Sequence, residues 1–321
     1  MNRTVAVVHY PEGAGHATRM LAIARELEER GATVELAGGG PGERFVELLG
    51  YEEYVPTVVD FIGDYQGDGS LADVVTGSIP DSVRRIRDVR RWLKAVDADC
   101  VVTDDMFASM AATLARVPQF VCTHNTPGYY DEFAERAGAA VLTKQQVLAS
   151  EAFYYPAVWP AQDGDPKGVE RVPPLALDAP VEDVPEVDVL ISPSTYSTAL
   201  DEVADRLEER GRDVTVVGGE GWETVASMLP VLREANAVVC PGYSTVMEAA
   251  VAGTPCVVYP FTSEQRGVAR FVERGGEPGF AVAETPSEAV DAVANPPADP
   301  DFENGAPVVA ERVVERLRDH V

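Results

Sequence analysis

Short apolar runs alternate with segments of helical periodicity along most of the chain. The first run, residues 4–10 (TVAVVHY), is nearly continuous and rich in β-branched residues, which is typical of a strand buried on both faces. In the next segment Met20, Ile23 and Leu27 recur at helical spacing, and Gly31 provides a stop. A second apolar run (ATVELAGG) follows, so the chain opens with a β-α-β unit. Such units predict a parallel sheet.

The alternation stops between about residues 156 and 186, where Pro, Asp and Gly are frequent and no periodicity persists. Beyond this segment strands and helices alternate again, up to a final amphipathic helix with Pro307 near its start. The pattern predicts an α/β protein with two Rossmann-like, doubly wound parallel-sheet domains. The predicted parts are a first domain (1–165), a linker (166–186), a second domain (187–306) and a C-terminal helix (307–321).

Charge narrows the range of partners. The 321 residues include 26 Lys and Arg against 53 Asp and Glu, for a net charge of -27. A field of this sign repels phosphate backbones, so we expect no nucleic-acid partner. The acids are dispersed and lysine is scarce, as in proteins of salt-loving archaea. We therefore interpret the acidity as a halophilic adaptation to the solvent.

Cysteine usage and hydropathy exclude further classes. Each of the four cysteines lies in or beside an apolar run and none forms a CxxC or CxH cluster, which favours buried thiols over a zinc site. The first residues lack the features of a signal sequence, and no run approaches the ~20 apolar residues of a membrane span. We expect a cytoplasmic protein without a metal or a cofactor.

Two strand-to-helix turns are candidate ligand sites, because open parallel sheets bind ligands beyond the carboxyl ends of their strands. The first turn contains Gly13, Gly15 and His16 (EGAGH). Glycines allow a close backbone approach, and a helix N-terminus favours anionic groups. The turn therefore suits a phosphate or a sugar, although a tight structural turn accounts for it equally well.

The second turn lies in the segment VVCPGYSTVMEAAVAGTPCVVYPF (238–261). Gly242 permits a close approach, and the amides and hydroxyls of Ser244 and Thr245 could bind a diphosphate at a helix start. The Glu248 carboxylate could accept hydrogen bonds from two vicinal hydroxyls, such as those of a ribose. The alternative is a capping box with Thr245 as the N-cap and Glu248 three residues on, which needs no ligand.

These two motifs, GxGH after the first strand and GxSTxxE late in the second domain, resemble those of the GT-B nucleotide-sugar glycosyltransferases. The similarity is greatest to the group of the peptidoglycan N-acetylglucosaminyltransferase and is strongest over residues 236–275. It implies two domains facing a cleft, a nucleotide-sugar substrate and a final helix that packs back on the first domain. The residues that the resemblance assigns to the donor are Gly242, Tyr243, Ser244, Thr245, Glu248 and Gln265. Those that it assigns to the acceptor side are Gly13, Gly15, His124 and Asn125 (the last two from HNTPG).

The chain departs from the family pattern at two positions. Family members often carry His or Arg two residues before the motif glycine, where this chain has Cys240. An Asn usually follows the Gln by three residues, where this chain has Val268. The first change removes a cation or donor near the diphosphate, and the second removes a sugar contact.

An inverting transfer needs a base for the acceptor hydroxyl, and histidine has a suitable pKa. Of the four histidines, His320 lies at the C-terminal end, whereas His9, His16 and His124 follow first-domain strands. His16 is our leading candidate. Asp104 is the second candidate, either as the base or as the group that orients a histidine. The neighbouring Asp105 is an alternative, and one of the two aspartates could instead cap the following helix.

A basic helix is unexpected in so acidic a chain. The segment SVRRIRDVRRWLKAV (82–96) places five cations on one helical face and apolar residues on the other, with Arg85 beside them. The face could simply be solvated, or it could contact anionic lipid headgroups weakly at the membrane surface. The five cations are Arg84, Arg87, Arg90, Arg91 and Lys94.

We therefore predict a metal-independent, inverting glycosyltransferase. It would move a sugar from a nucleotide-diphosphate donor, such as UDP-GlcNAc or another UDP-sugar, to an acceptor that could be lipid-linked. Two alternatives stay open. One is a nucleotide-sugar epimerase or hydrolase on the same fold, and the other is a non-catalytic binding subunit.

Overall fold

A computed structural model describes residues 3–59, 79–182, 184–194, 197 and 199–319. Within these ranges the strands form two sheets in which every neighbouring pair is parallel. The seven strands of the first sheet are ordered β3-β2-β1-β4-β5-β6-β7. They are β1 (Thr4–Val8), β2 (Thr33–Ala37), β3 (Glu53–Tyr54), β4 (Cys100–Thr103), β5 (Gln119–Cys122), β6 (Ala152–Pro156) and β7 (Glu170–Val172).

The second sheet has five strands in the order β12-β11-β10-β8-β9. They are β8 (Val189–Ile191), β9 (Val214–Val216), β10 (Ala237–Cys240), β11 (Cys256–Val258) and β12 (Phe280–Val282). The central strands of both sheets are fully buried, which explains their unbroken apolar runs. The two sheets belong to the two domains.

Helices connect the strands and cover the sheets. In the first domain these are α1 (Ala14–Glu29), α2 (Glu43–Leu48), α3 (Ile79–Ala95), α4 (Met106–Ala115) and α5 (Phe133–Ala149). In the second domain they are α6 (Leu200–Glu209), α7 (Leu229–Glu234), α8 (Tyr243–Ala252), α9 (Ser263–Gly275) and α10 (Pro286–Ala294), and α11 (Gly305–Asp319) follows. None of the helices in the described part of the chain combines the length and the apolar composition that crossing a bilayer requires.

The last helix packs on the first domain rather than on the second. Val309, Val313 and Leu317 of α11 share one buried cluster with Met20 and Leu27 of α1. The chain therefore passes between the domains twice, once through the linker and once before α11.

The domains also meet through an apolar contact beside the cleft. Phe271 of α9 packs edge-on against Tyr129 and Trp159 of the first domain, at 5.3 and 5.5 Å between ring centroids. Gly267 lets the same helix approach closely, because a Cβ there would lie 2.4 Å from the Cα of Tyr129. This contact joins the carboxyl ends of the two sheets.

Candidate active site

His16 and Asp104 form a hydrogen-bonded pair at the carboxyl ends of β1 and β4, which are neighbours in the first sheet. The His16 Nδ1 lies 2.7 Å from the Asp104 Oδ2. The carboxylate is fully buried, whereas 23% of the His16 side chain is exposed. Because an ionised carboxylate only accepts hydrogen bonds, Nδ1 carries a proton, and in the neutral form of the imidazole Nε2 then has the free lone pair.

The surroundings of Asp104 keep it ionised. Burial opposes the charged form, but the His16 ring, the Arg19 guanidinium and the Tyr10 amide outweigh it and hold the pKa of Asp104 below its usual range. The Tyr10 amide donates to Oδ1 at 2.9 Å. The carboxylate is therefore a fixed acceptor that orients the imidazole.

Asp105 has a structural role instead. Its Oδ1 accepts from the Phe107 amide at 2.7 Å, so it is the N-cap of α4, as the capping alternative predicted. Its Oδ2 accepts from the Nε of Arg85 at 2.7 Å, and both side chains are fully buried. Of the two adjacent aspartates, only Asp104 contacts a histidine through a hydrogen bond.

A second buried chain of polar groups crosses between the domains. The Arg19 Nη1 donates to the His124 Nδ1 at 2.9 Å, and the His124 Nε2 donates to the Glu264 Oε1 of α9 at 2.8 Å. Burial lowers the pKa of His124 to about 4, and the bond to Glu264 offsets burial only in part. His124 is therefore a neutral imidazole that links the two domains.

The N-terminus of α8 enters the cleft opposite α1. Gly242 precedes the helix and makes no side-chain cap, so its first amides have no capping side chain. A Cβ on Gly15 would lie 2.1 Å from the Ser244 Oγ, so the glycine loop and the helix start are in close contact. The Tyr243 ring stacks on His124 at 3.7 Å, and its hydroxyl donates to the Pro156 carbonyl at 2.8 Å. The predicted donor turn and the predicted acceptor loop therefore meet.

The capping box proposed for Thr245 and Glu248 is wrong. The helix begins at Tyr243, two residues before Thr245, so neither side chain has the required position. The Thr245 Oγ1 instead lies 3.2 Å from the Ser192 Oγ beyond β8. Neither residue has its predicted local role, which leaves a ligand role open for both.

Glu248 lines a small cavity of about 10 Å³ between the domains. Burial raises the pKa of Glu248 to about 7, against an opposing effect of Arg19. The carboxylate is thus close enough to Arg19 to be influenced by its charge. The lining residues are Gly15, Thr18, Arg19, Leu175, Leu177, Tyr243, Ser244 and Glu248.

A capping box is present at the start of α9, formed by Thr262 and Gln265, and not at Thr245 and Glu248. The Gln265 side chain and that of Thr262 cap α9 reciprocally, and the Gln265 Oε1 accepts from the Phe261 and Thr262 amides at 2.9 and 3.1 Å. Its Nε2 donates to the Ser194 Oγ at 3.3 Å. The side chain borders Gly242, where a Cβ would lie 3.2 Å from its Cγ.

The remaining predicted residues lie at the edge of this cluster. Gly13 precedes α1 with a φ of 83°, a conformation that favours glycine. Asn125 is exposed, and its Oδ1 accepts from the Tyr130 hydroxyl at 3.2 Å. Of the other histidines, His9 is buried between the Tyr10 carbonyl and Glu53, and His320 lies outside the described residues.

The two departures from the family pattern are packed in the interior. The Cys240 Sγ lies 3.6 Å from the Cys256 Sγ, and Val268 is fully buried in a cluster with Tyr129 and Trp159. All four cysteines are buried free thiols, so that prediction is confirmed. Neither Cys240 nor Val268 presents a polar group to the cleft.

Arg19 and Glu264 are not among the predicted site residues, although both lie in the cleft. Arg19 is next to Met20 in the apolar repeat of α1, is only 5% exposed and contacts His124. Glu264 stands next to Gln265, but the spacing within α9 does not reveal a partner 140 residues away. Three residues after a GxGH histidine, a charged residue in an otherwise apolar stripe is the signal that could have identified Arg19.

No family model matches the chain. A Methanosarcina mazei protein named an uncharacterized glycosyltransferase is 23% identical, and the match covers 87% of this chain and 86% of that protein. Among solved structures, the Streptomyces sp. SF2575 glycosyltransferase SsfS6 complexed with thymidine diphosphate has a TM-score of 0.65 at 12% identity, covering 98% of this chain and 100% of that one. The chain has the GT-B fold.

A further GT-B neighbour is MurG of Acinetobacter baumannii, with a TM-score of 0.56, 16% identity and coverage of 99% of this chain and 100% of that one. The predicted architecture of two Rossmann-like domains is confirmed. The two glycine-containing turns singled out in the sequence lie on opposite walls of the cleft. The His16–Asp104 pair stands on one wall and the start of α8 on the other.

Proposed function

We propose that this chain is a glycosyltransferase that transfers a sugar, with inversion, from a nucleoside-diphosphate donor bound between its domains. The observation that carries the proposal is the His16–Asp104 pair, which stands across the cleft from the uncapped N-terminus of α8. A base and an anion-binding helix end are the two groups that such a transfer requires. The M. mazei relative, named a glycosyltransferase, supports the same class.

In the proposed reaction, the His16 Nε2 accepts the proton of the acceptor hydroxyl while the acceptor oxygen forms a bond to the anomeric carbon. The bond from that carbon to the diphosphate oxygen breaks, and its electron pair leaves with the nucleoside diphosphate. The Asp104 carboxylate stabilises the imidazolium that forms. The α8 amides take the developing negative charge, so the proposal needs no metal ion.

The donor is a nucleoside-diphosphate sugar. Glu248 would accept hydrogen bonds from the ribose hydroxyls, the turn from Gly242 to Thr245 would hold the diphosphate, and Gln265 would contact the sugar. The resemblance favours uridine, such as UDP-GlcNAc, whereas SsfS6 was crystallised with thymidine diphosphate. Both bases therefore belong in the first test.

The test is a thermal-shift screen of UDP, TDP and their sugars in high salt, followed by transfer assays with and without lipid extract. A ligand that binds the folded protein raises its melting temperature. We expect a shift with at least one nucleotide, a weaker shift for Glu248→Ala, and transfer that persists in EDTA. Release of free sugar without acceptor would favour a hydrolase, and no shift with any nucleotide would favour the binding subunit.

A lipid-linked acceptor at a membrane surface is the second part of the proposal. The cationic face of α3 (Arg84, Arg87, Arg90, Arg91 and Lys94) is exposed, and only two of the five have an ion pair among the described residues, with Asp81 and Asp88. Helices α3, α4 and α5 pack side by side in that order. On α5, Phe133, Val141 and Leu148 are 84%, 69% and 77% exposed. Exposed cations on α3 and exposed apolar side chains on α5, with α4 between the two helices, suit an anionic bilayer surface.

Vesicle co-sedimentation tests this contact. We expect binding to phosphatidylglycerol vesicles that weakens with salt, and little binding to phosphatidylcholine vesicles. Replacing the five cations with Gln should abolish the difference. Equal binding by the wild type and this variant would contradict the proposal.

A further inference from the structure

Arg19 lies one helical turn after His16 on α1 and reaches the centre of the cleft. Its guanidinium carbon is 5.4 Å from the centre of the Tyr243 ring, and its Nη1 donates to His124 at 2.9 Å. Its Nη2 is 3.5 Å from the Asp104 Oδ2. The Arg19 side chain therefore lies against three parts of the cleft: the Asp104 carboxylate of the His16–Asp104 pair, His124, and Tyr243 at the start of α8.

The hydrogen-bonding capacity of Arg19 is not used fully. The residue is 5% exposed, and its buried Nη2 has no hydrogen-bond partner within the described part of the chain. A buried donor without an acceptor costs free energy, and more so when it is charged. An arginine kept in this state next to a cavity is suited to an anionic ligand.

Full positive charge is scarce around the same cavity, as far as the described residues show. Among the described residues that line it, Arg19 is the sole cation, and Ser244 at the start of α8 and Glu248 face it from the second domain. The strand that leads into α8 ends at Cys240, which is buried against Cys256 and carries no cation. The second domain therefore supplies a helix dipole, worth about half an elementary charge, but no full charge at that position.

We infer that Arg19 binds the diphosphate of the donor and neutralises the charge that develops on it as it leaves. The inference rests on the proposed function. The guanidinium comes from the first domain, whereas the motif that holds the donor belongs to the second. Diphosphate binding then requires both walls of the cleft, with the helix dipole on one wall and the guanidinium on the other.

Arg19 could instead serve only to hold the domains together through Asp104 and His124. The two roles differ in what a substitution does to the phosphate and nucleoside parts of the ligand. A purely structural loss weakens binding of every ligand in the cleft equally. A lost diphosphate contact weakens binding of the diphosphate alone.

The experiment compares UDP and TDP with uridine and thymidine, by calorimetry and ligand-observed NMR, for the wild type, Arg19→Gln and Arg19→Lys. For the diphosphate that the wild type binds, we expect Arg19→Gln to raise Kd about 10- to 100-fold. The nucleoside Kd should change less than about threefold. Arg19→Lys keeps the charge without the two-pronged geometry, so its diphosphate Kd should be intermediate.

The outcomes separate this inference from the proposed function. Failure of the wild type to bind either diphosphate overturns both. Normal diphosphate binding by Arg19→Gln, or an equal loss of diphosphate and nucleoside binding, overturns the role of Arg19 and leaves the proposed function intact. If Arg19→Gln does not fold, Arg19→Lys provides the test. The role of Arg19 is overturned if this variant binds the diphosphate with the wild-type Kd and that Kd does not depend on salt, because a charge contact weakens with salt.

Discussion

At the scale of single residues, the adjacent aspartates Asp104 and Asp105 have different roles. Asp104 accepts from His16 and is buried, whereas Asp105 caps α4 and pairs with the buried Arg85. The sequence presents them as equals after one strand. Their separation comes from the strand order, because β4 lies beside β1 and only one of the two side chains can face the turn that carries His16.

Asp104→Asn should therefore lower kcat by about 100-fold or more, because an amide does not fix the imidazole tautomer or stabilise its protonated form. KM for the donor should change little. Steady-state kinetics with the donor that binds in the thermal-shift screen measures both constants. A kcat within about threefold of the wild type would eliminate Asp104 as the positioning residue.

Asp105→Asn is the matched comparison and should mainly affect folding. It leaves the fully buried Arg85 without its charged partner, which costs about 3 kcal/mol or more. The residual folded protein should keep its kcat. Urea unfolding of both variants distinguishes the two roles.

The pKa of Glu248 makes a prediction about stability. In the folded protein the Glu248 carboxyl retains its proton up to about pH 7, whereas an ordinary glutamate carboxyl, as in the unfolded chain, loses its proton near pH 4.5. Between these values the folded state binds more protons than the unfolded chain, so the contribution of Glu248 to stability falls as pH rises. Glu248→Gln should be more stable than the wild type by about 1–3 kcal/mol at pH 8 and equal to it near pH 4.

Chemical denaturation across this pH range measures the difference. Glu311→Gln, which replaces an exposed carboxylate on α11, is the matched control for the Glu-to-Gln change itself. If the free energies of unfolding of Glu248→Gln and the wild type differ by the same amount at pH 4 and pH 8, the raised pKa of Glu248 is contradicted.

At the scale of elements, the start of α8 determines the width of the cleft. Gly15→Ala would place a Cβ 2.1 Å from the Ser244 Oγ, so the walls must separate or Ser244 must turn away. We expect a loss of about 1–3 kcal/mol in the free energy of unfolding. Combining Gly15→Ala with Ser244→Gly should restore most of it, because the second change removes the atoms that clash.

Gly138→Ala is the control for the intrinsic effect of the same substitution. Gly138 lies in α5, and a Cβ there would have no neighbour within 4 Å. Alanine should stabilise that helix by about 0.5–1 kcal/mol. Thermal unfolding of these variants distinguishes a steric cause from a general response to alanine.

Much at this scale can be predicted from the sequence. The apolar runs predicted β1 and β2, and the helical repeat predicted α1, because local periodicity determines them. At the start of α8 the sequence left two alternatives open, because the spacing from Thr245 to Glu248 also satisfies a capping box. In the structure the chain turns at Gly242 just after β10, so the capping alternative is wrong. Periodicity cannot show which residues of a helix meet a partner in another domain.

The same reason explains Arg85 and Arg19. Periodicity placed Arg85 beside the apolar face of α3, but its full burial depends on Asp105 and on carbonyls such as those of His9 and Gly38. Arg19 depends on His124, 105 residues away. These contacts follow from the order of strands and the approach of two domains, which no local pattern records.

At the scale of the whole molecule, α11 belongs to the first domain although it follows the second in the chain. Val309, Val313 and Leu317 fill the core beside α1. Deleting residues 305–321 should therefore destabilise the first domain and leave the second largely intact. Hydrogen exchange should show lost protection in β1 and α1 and retained protection in β10 and α8, whereas equal loss in both domains would contradict this prediction.

The contact of Gly15 with Ser244 has a consequence for the catalytic cycle. A gap of about 10 Å³ holds about one water molecule, far less than a nucleotide. If the proposed transfer takes place in this cleft, the two lobes have to separate to admit a nucleotide and again to release it. Lobe opening would then be a step of every turnover, separate from the transfer of the sugar.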